Sequence, residues 1–130
     1  MHEVYEFLKQ CGTYYLATDE AGQPRVRPFG TVNLFEGKLY IQMGKSKAVS
    51  RQIAQNPRVE LCGLQGEQWV RVSATLVEDD RLEPQRAMLE VYPDLRRLYQ
   101  PGDGNVQVFF LKDATATFSS FVSEPRVVTF

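Results

Sequence analysis

Hydrophobic and polar residues alternate over residues 24–34 and 68–76, with the period of two that is typical of β-strands. This pattern, together with β-branched and aromatic residues, predicts strands over residues 13–18, 24–35, 39–43, 59–64, 68–77, 106–111 and 114–120. Glycine-containing turns at residues 19–22 and 36–38 connect the first three strands. We expect these three strands to form a meander and the last two to close a mostly antiparallel sheet.

Apolar residues with helical spacing interrupt the alternation. Residues 4, 7, 8 and 11 predict an N-terminal helix that ends at Gly12. Val49 and Ile53, one turn apart, predict a second helix that Pro57 stops, and residues 83–92 predict a third. Residues 95–99 predict a further turn or two. The length of 130 residues indicates one domain, residues 1–130. The excess of strands over helices indicates a barrel-like α+β fold dominated by β.

The composition is that of an ordinary folded protein. Hydrophobic residues make up 43% of the chain and charged residues 24%, and the net charge of -1 provides no general attraction to nucleic acid. No apolar run approaches the roughly 20 residues that cross a bilayer. The N-terminal residues lack the basic start and long apolar stretch of a signal peptide, so we expect a cytoplasmic protein.

Histidine and cysteine are scarce. His2 is the only histidine, and Cys11 and Cys62 are the only cysteines, which we expect to be reduced core residues. A Ser-His-Asp unit would depend on His2, and a histidine-rich zinc site is not available, so we predict no metal site. We therefore expect a bound cofactor to supply any chemistry.

The second predicted strand combines basic and aromatic residues on one face. Alternation places five residues on this face: Arg25, Arg27, Phe29, Thr31 and Asn33. The opposite face is apolar and fits a core: Val26, Pro28, Gly30, Val32 and Leu34. Pro28 removes a ladder hydrogen bond and indicates an edge strand or a bulge. The basic face is either a ligand surface or an ordinary solvent face.

Three basic residues surround a serine where the third strand gives way to the second helix. We expect Ser46 to cap this helix, and we expect a phosphate to bind Ser46, Lys47 and the free backbone N–H groups there. Lys45 and Arg51 would add charge, and Arg27 would reach the same anion as a bidentate donor. The alternative is a capped, solvated helix start without a ligand.

A third candidate stretch surrounds the only tryptophan, Trp69. Strand alternation places Trp69 on one face and Gln68 on the other. Trp69 is either a half-buried core aromatic or a wall for a flat ligand, with Gln68 providing an amide that both donates and accepts.

Three stretches together resemble the FMN-binding split-barrel family of pyridoxamine 5'-phosphate oxidase and its small relatives. They are YYLATDEAGQPRVRPFG, GKLYIQMGKSKAVSRQIAQNPRVELC and EQWVRVSATLVED, in this order. The resemblance implies an antiparallel split β-barrel with flanking helices that forms a homodimer and binds FMN at the dimer interface. The C-terminal residues lack the tryptophan of the full-length oxidase, so the resemblance does not extend to oxidation of pyridoxamine phosphate itself.

The resemblance also implies roles for individual residues. Arg27 corresponds to the basic strand residue that contacts the nucleotide, and Pro28, Phe29 and Gly30 to the backbone beside the flavin ring. Ser46 and Lys47 correspond to the phosphate-binding pair, in which the family often has arginine at the position of Ser46. Tyr40 and Ile41 correspond to strand positions near the flavin. Gln68 and Trp69 correspond to strand positions that reach the flavin shared with the other subunit.

The function that we expect from these residues and the resemblance is an FMN-dependent oxidoreductase. A nicotinamide donor would reduce the flavin and a small molecule would reoxidise it, and no catalytic side chain is assigned. Arg25, Arg71 or a basic residue of the partner chain would stabilise the reduced ring. The alternatives are a flavin carrier or sensor without turnover, a haem-binding relative, for which His2 is a poor ligand, and a nucleic-acid-binding barrel.

Overall fold

The computed structural model describes all residues from 1 to 130 and contains eight strands and three α-helices. The strands are β1 (Tyr14–Glu20), β2 (Gln23–Phe29), β3 (Asn33–Phe35), β4 (Lys38–Gly44), β5 (Arg58–Gln65), β6 (Gln68–Asp79), β7 (Val106–Ser120) and β8 (Arg126–Thr129). The helices are α1 (His2–Cys11), α2 (Ala48–Gln55) and α3 (Leu82–Val91), and a 3₁₀ helix follows at Pro93–Arg97. None of these helices is long and apolar enough to span a bilayer.

All strands pair antiparallel in one sheet, with the order β2-β1-β5-β6-β7-β4-β3 and with β8 paired to β7. The sheet curls but does not close. Its two ends, β2 and β3, are consecutive in the chain, so residues 30–32 cross the opening between them. The predicted β-dominated α+β fold with an antiparallel split barrel is confirmed.

The crossing segment is held by the side chains of Tyr14 and Tyr92 and by the backbone N–H group of Gln42. The Tyr14 hydroxyl donates a hydrogen bond to the Thr31 carbonyl at 2.6 Å, and the Gln42 N–H donates to Thr31 Oγ1 at 3.0 Å. The Tyr92 hydroxyl both accepts from the Val32 N–H and donates to the Val32 carbonyl, at 3.0 and 3.1 Å. These bonds replace the ladder partners that the crossing residues lack.

The structure corrects several predicted elements. The predicted strand 24–35 is two strands, because the chain leaves one edge of the sheet and joins the other. The predicted meander is therefore wrong, since β2 and β4 are not neighbours. The predicted strands 106–111 and 114–120 are one long strand, in which Asp113 adopts a positive φ of 52° without ending the pairing with β6. Strand β8 was not predicted.

The core lies inside the curled sheet and under α1 and α2. It consists of twenty buried residues, including Leu16, Ile41, Ile53 and Val72. Removing such side chains from water is the main force that holds the sheet in its curled form. A smaller cluster of Tyr40, Met88 and Val108 joins α3 to the outside of β4 and β7.

The predicted orientation of β2 is wrong. Val26, expected in the core, is 67% exposed, whereas Arg27 and Phe29 are partly buried. The register explains this result, because Arg27 pairs with Leu16, which is fully buried, and Val26 pairs with Ala17 on the outer face. In this edge strand the basic and aromatic face therefore turns inward.

Candidate functional site

A cavity of about 400 Å³ lies in the opening of the split barrel. One wall is the end of β2 and the crossing segment, and the other is the end of β4 with the start of α2 and the 3₁₀ region. The lining residues are Arg27, Pro28, Phe29, Gly30, Thr31, Gln42, Met43, Gly44, Lys47, Ala48, Val49, Leu95 and Tyr99. The volume falls within the roughly 300–1,000 Å³ of small-molecule sites.

Arg27 is the cation at the inner end of β2. Its guanidinium donates to the Leu16 carbonyl at 3.2 Å, to Thr18 Oγ1 at 2.8 Å and to Gln52 Oε1 at 2.5 Å. None of the four salt bridges of the chain involves it. Burial lowers the pKa of Arg27 below its usual value, and the positive charge of Arg25 acts in the same direction. Arg27 is thus a positioned positive charge without a carboxylate partner at the edge of the cavity.

The start of α2 supplies the second cationic group. Lys47 is the N-cap residue and Ala48 and Val49 are the first two helical residues, and all three line the cavity. The first N–H groups of a helix have no acceptor inside the helix and carry a partial positive charge. Lys47 forms no salt bridge. An anion at this point would meet an ammonium group and two backbone donors together.

The prediction that Ser46 caps α2 is wrong. The helix begins one residue later than expected, and no side chain caps it. The Ser46 N–H donates to Asn105 Oδ1 at 3.1 Å and the Lys45 N–H donates to the Asn105 carbonyl at 2.7 Å. The loop before β7 therefore occupies these two backbone donors, and Ser46 itself is exposed.

Lys45 lies on the other side of the α2 start from Lys47. It lines a separate cavity of about 450 Å³ together with Arg51, Ser50 and Gln107. Two polar residues there are already paired with each other, since the Ser50 hydroxyl donates to Gln107 Oε1 at 2.6 Å. The two lysines that sequence reasoning placed together thus face different spaces.

Tyr40 and Ile41 lie on β4 but their side chains do not reach the cavity. Ile41 is fully buried in the main core. Tyr40 is 1% exposed and its hydroxyl donates a hydrogen bond to Asp79 Oδ2 at 2.7 Å. Burial has the larger effect and this hydrogen bond the next, and together they raise the pKa of Tyr40 to about 12. The cavity is instead lined by the next three residues of the same strand.

Gln68 and Trp69 begin β6, away from the cavity of the same chain. Gln68 lines a different, polar cavity of about 340 Å³ beside Glu3 and Arg126. Trp69 packs its ring against Phe121, with ring centroids 5.2 Å apart, on the outer face of the sheet. Within one chain the structure therefore brings together Arg27, Pro28, Phe29, Gly30 and Lys47 from the predicted set.

Sequence reasoning did not identify Gln42, Leu95 or Tyr99 as site residues. Gln42 carries the clearest signal that was available, because it is the only polar side chain in the apolar run from Leu39 to Met43. Tyr99 closes one side of the cavity, and a Cβ added at Gly44 would lie 2.7 Å from its hydroxyl oxygen. Only glycine at this position allows the ring to lie against β4.

The arrangement suits a ligand with an anionic end and a flat, largely apolar body. Arg27, Lys47 and the α2 N–H groups form a positive end. Pro28, Phe29, Met43 and Leu95 provide apolar surface. Gly30 adds open backbone, since a Cβ there would meet only the Gly12 carbonyl, at 3.5 Å. A phosphorylated aromatic ring system fits these donors and walls.

One family model and several solved structures match this chain. The model of the family described as pyridoxamine 5'-phosphate oxidase matches residues 1–120. A NimC/NimA family protein from Clostridium acetobutylicum has a TM-score of 0.96 and 41% identity, covering 100% of this chain and 92% of that chain. No curated protein sequence matches the chain.

Two more distant structures share the fold. General Stress Protein 26 from Bacillus anthracis has a TM-score of 0.75 at 17% identity, with 100% of both chains covered. A pyridoxamine 5'-phosphate oxidase-related, FMN-binding protein from Nostoc punctiforme has a TM-score of 0.62 at 17% identity, covering 98% of this chain and 92% of that chain. On the match over residues 1–120, this chain belongs to the pyridoxamine 5'-phosphate oxidase family.

Proposed function

We propose that this protein is an FMN-dependent oxidoreductase, a single-domain cytoplasmic member of its family that works as a homodimer. The observation that carries the proposal is the cavity in the barrel opening, where Arg27, Lys47 and the α2 N-terminus form a positive end beside an apolar wall. The Nostoc punctiforme relative, described as FMN-binding, supports the choice of ligand. A bound flavin would accept a hydride from a reduced nicotinamide and pass the electrons to a small acceptor.

The residues of this chain would hold the flavin rather than carry out proton chemistry. Lys47 and the N–H groups of Ala48 and Val49 would bind the phosphate, and Arg27 would add charge at the same end. Pro28, Phe29 and Gly30 would lie beside the ring. No histidine is near the cavity, which agrees with a reaction that needs no side-chain acid or base.

The homodimer is part of the proposal because the outer face of the sheet is rich in exposed apolar residues. Tyr15 and Val26 on β1 and β2 are 52% and 67% exposed, and Leu64 on β5 is 64% exposed. Phe121, which packs on Trp69, is 80% exposed. A patch of this kind is typical of a surface that a second copy covers. In such a dimer Gln68 and Trp69 would contact the flavin of the other subunit.

The structure offers a matched pair of variants for the phosphate assignment. Lys47→Ala removes the ammonium group that lines the cavity, whereas Lys45→Ala removes one from the same turn that faces the other cavity. We expect Lys47→Ala to weaken FMN binding about 10-fold or more and Lys45→Ala less than about 3-fold, measured by quenching of flavin fluorescence. Equal effects, or a larger effect of Lys45→Ala, would refute the assignment.

Turnover is tested separately from binding. The FMN-loaded protein should lose its yellow colour when mixed with a reduced nicotinamide under nitrogen and regain it in air. A yellow protein that no nicotinamide bleaches would favour the second candidate, a flavin carrier or sensor. A protein that binds haem and not FMN would contradict both.

A further inference from the structure

Gln42 is the exceptional polar residue of the cavity. It belongs to β4, lines the cavity and is 6% exposed. Its Oε1 is fully buried and accepts no hydrogen bond from the chain, and it is the only buried side-chain nitrogen or oxygen of the protein in this condition. An unpaired buried amide oxygen is costly in free energy, so such groups are rare in folded proteins.

The other buried glutamines show what the fold normally does with such a side chain. Gln52 Oε1 accepts from Thr18 and Arg27, Gln85 Oε1 accepts from the Gly102 N–H at 2.8 Å, and Gln107 Oε1 accepts from Ser50. All three are buried to a similar extent as Gln42. The missing partner is therefore particular to the one buried glutamine that lines this cavity, which indicates that a ligand provides the donor.

The partner of Gln42 Oε1 must be an N–H or O–H group, and this requirement excludes the phosphate. A phosphate monoester carries a charge of about -1.5 to -2 at neutral pH and offers acceptors rather than donors. The groups that would bind the phosphate are the ammonium group of Lys47 and the N–H groups at the start of α2. Gln42 would thus meet the body of the ligand rather than its phosphate.

The pyrimidine edge of a flavin ring carries one N–H group between two carbonyl groups. A glutamine amide presents an acceptor and a donor side by side, and it pairs in the same bidentate manner with the edge of a nucleic-acid base. We propose that Gln42 recognises this imide edge, with Oε1 accepting from the ring N–H and Nε2 donating to an adjacent carbonyl. This inference rests on the proposed function and adds the residue that selects the ring.

The test compares FMN with 3-methyl-FMN, in which a methyl group replaces the imide hydrogen. Wild-type protein should bind 3-methyl-FMN about 10-fold more weakly than FMN. Gln42→Leu and Gln42→Ala should bind FMN more weakly than wild type and should not distinguish the two flavins, and the alanine variant leaves room for the methyl group. An equal methylation penalty in wild type and both variants would overturn the proposal.

Two further measurements separate a binding role from a structural one. With nitrogen-15-labelled FMN, the imide proton should be visible and protected from exchange on wild-type protein but not on Gln42→Leu. The unfolding temperature of ligand-free Gln42→Leu should equal or exceed that of wild type, because the variant removes an unpaired buried oxygen. A lower unfolding temperature of Gln42→Leu together with unchanged FMN affinity would overturn the inference about Gln42 but not the proposed function. A wild-type protein that binds neither flavin would refute the proposed function itself.

Discussion

Arg27→Met gives the sharpest test of the electrostatics of the site. Methionine preserves much of the side-chain length and apolar stem of arginine but removes the guanidinium. Three of the five guanidinium N–H groups are used within the protein, for Leu16, Thr18 and Gln52. The remaining two, one on the second terminal nitrogen and one on Nε, donate to no group of the protein.

The structure predicts a small effect on stability and a large one on binding. In the variant the Thr18 hydroxyl keeps its hydrogen bond to Gln52 Oε1, at 2.6 Å, so these two side chains stay paired and only the additional bond to the Leu16 carbonyl is lost. The charge of Arg27 is also costly to bury, as its lowered pKa shows. We expect a loss of about 1 kcal/mol in the free energy of unfolding. Loss of a charged hydrogen bond to phosphate should weaken FMN binding by about 10- to 150-fold.

Fluorescence titration with FMN at low and high salt measures this effect, and chemical denaturation measures stability. Arg25→Met is the matched control, because Arg25 lies two residues earlier and its exposed side chain pairs with Glu20 at 3.0 Å. It should change the affinity by less than about 3-fold. Wild-type affinity in Arg27→Met, or a greater loss in Arg25→Met, would refute the placement of the anion beside Arg27.

Four other variants test separate parts of the structure. Gly44→Ala should displace the Tyr99 ring and weaken FMN binding by about 3- to 10-fold without unfolding the protein, as titration and circular dichroism would show; unchanged binding would contradict a role for Tyr99 in the cavity wall. The pKa of Tyr40 is raised to about 12 from the usual 10, so its contribution to stability should be complete below about pH 10 and be lost as the pH rises toward 12. Tyr40→Phe should remove this part of the loss of stability at alkaline pH, as denaturation experiments would show. The Arg81 side chain lowers the pKa of Asp79, so stability from this carboxylate should persist above about pH 4 and disappear at lower pH, and Asp79→Asn should flatten the acid side of the same curve. Trp69→Asp should convert the proposed dimer to a monomer in analytical ultracentrifugation, and an unchanged sedimentation coefficient would exclude Trp69 from the interface.

The sequence predicted the fold class and the elements that carry the site, but not the orientation of β2. Alternation shows which residues share a face and does not show which face is inside. For β2 the apolar set pointed to the wrong answer, because an edge strand beside the barrel opening places Arg27 inward against Leu16 and leaves Val26 outside. The pairing register with β1 decides this orientation, and it depends on contacts that are distant in sequence.

The same limit applies to the residues around the cavity. The strand-to-helix turn was predicted as an anion site, and the structure places Lys47 there, but the backbone donors of Lys45 and Ser46 are used by Asn105, almost sixty residues later. Tyr99 reaches the cavity from the region after α3, a contact that local patterns do not reveal. Gln42 was visible in the sequence as a polar interruption, and its meaning depends on the missing hydrogen-bond partner.

The most direct measurement of the central claim is a crystal structure of the protein with FMN. We expect the flavin in the barrel opening, with its phosphate within hydrogen-bond distance of Lys47 and the N–H groups of Ala48 and Val49. Its ring should lie along Pro28 to Gly30. Flavin density at the Lys45 side of α2, or a barrel opening that remains free of flavin in crystals saturated with FMN, would contradict the account.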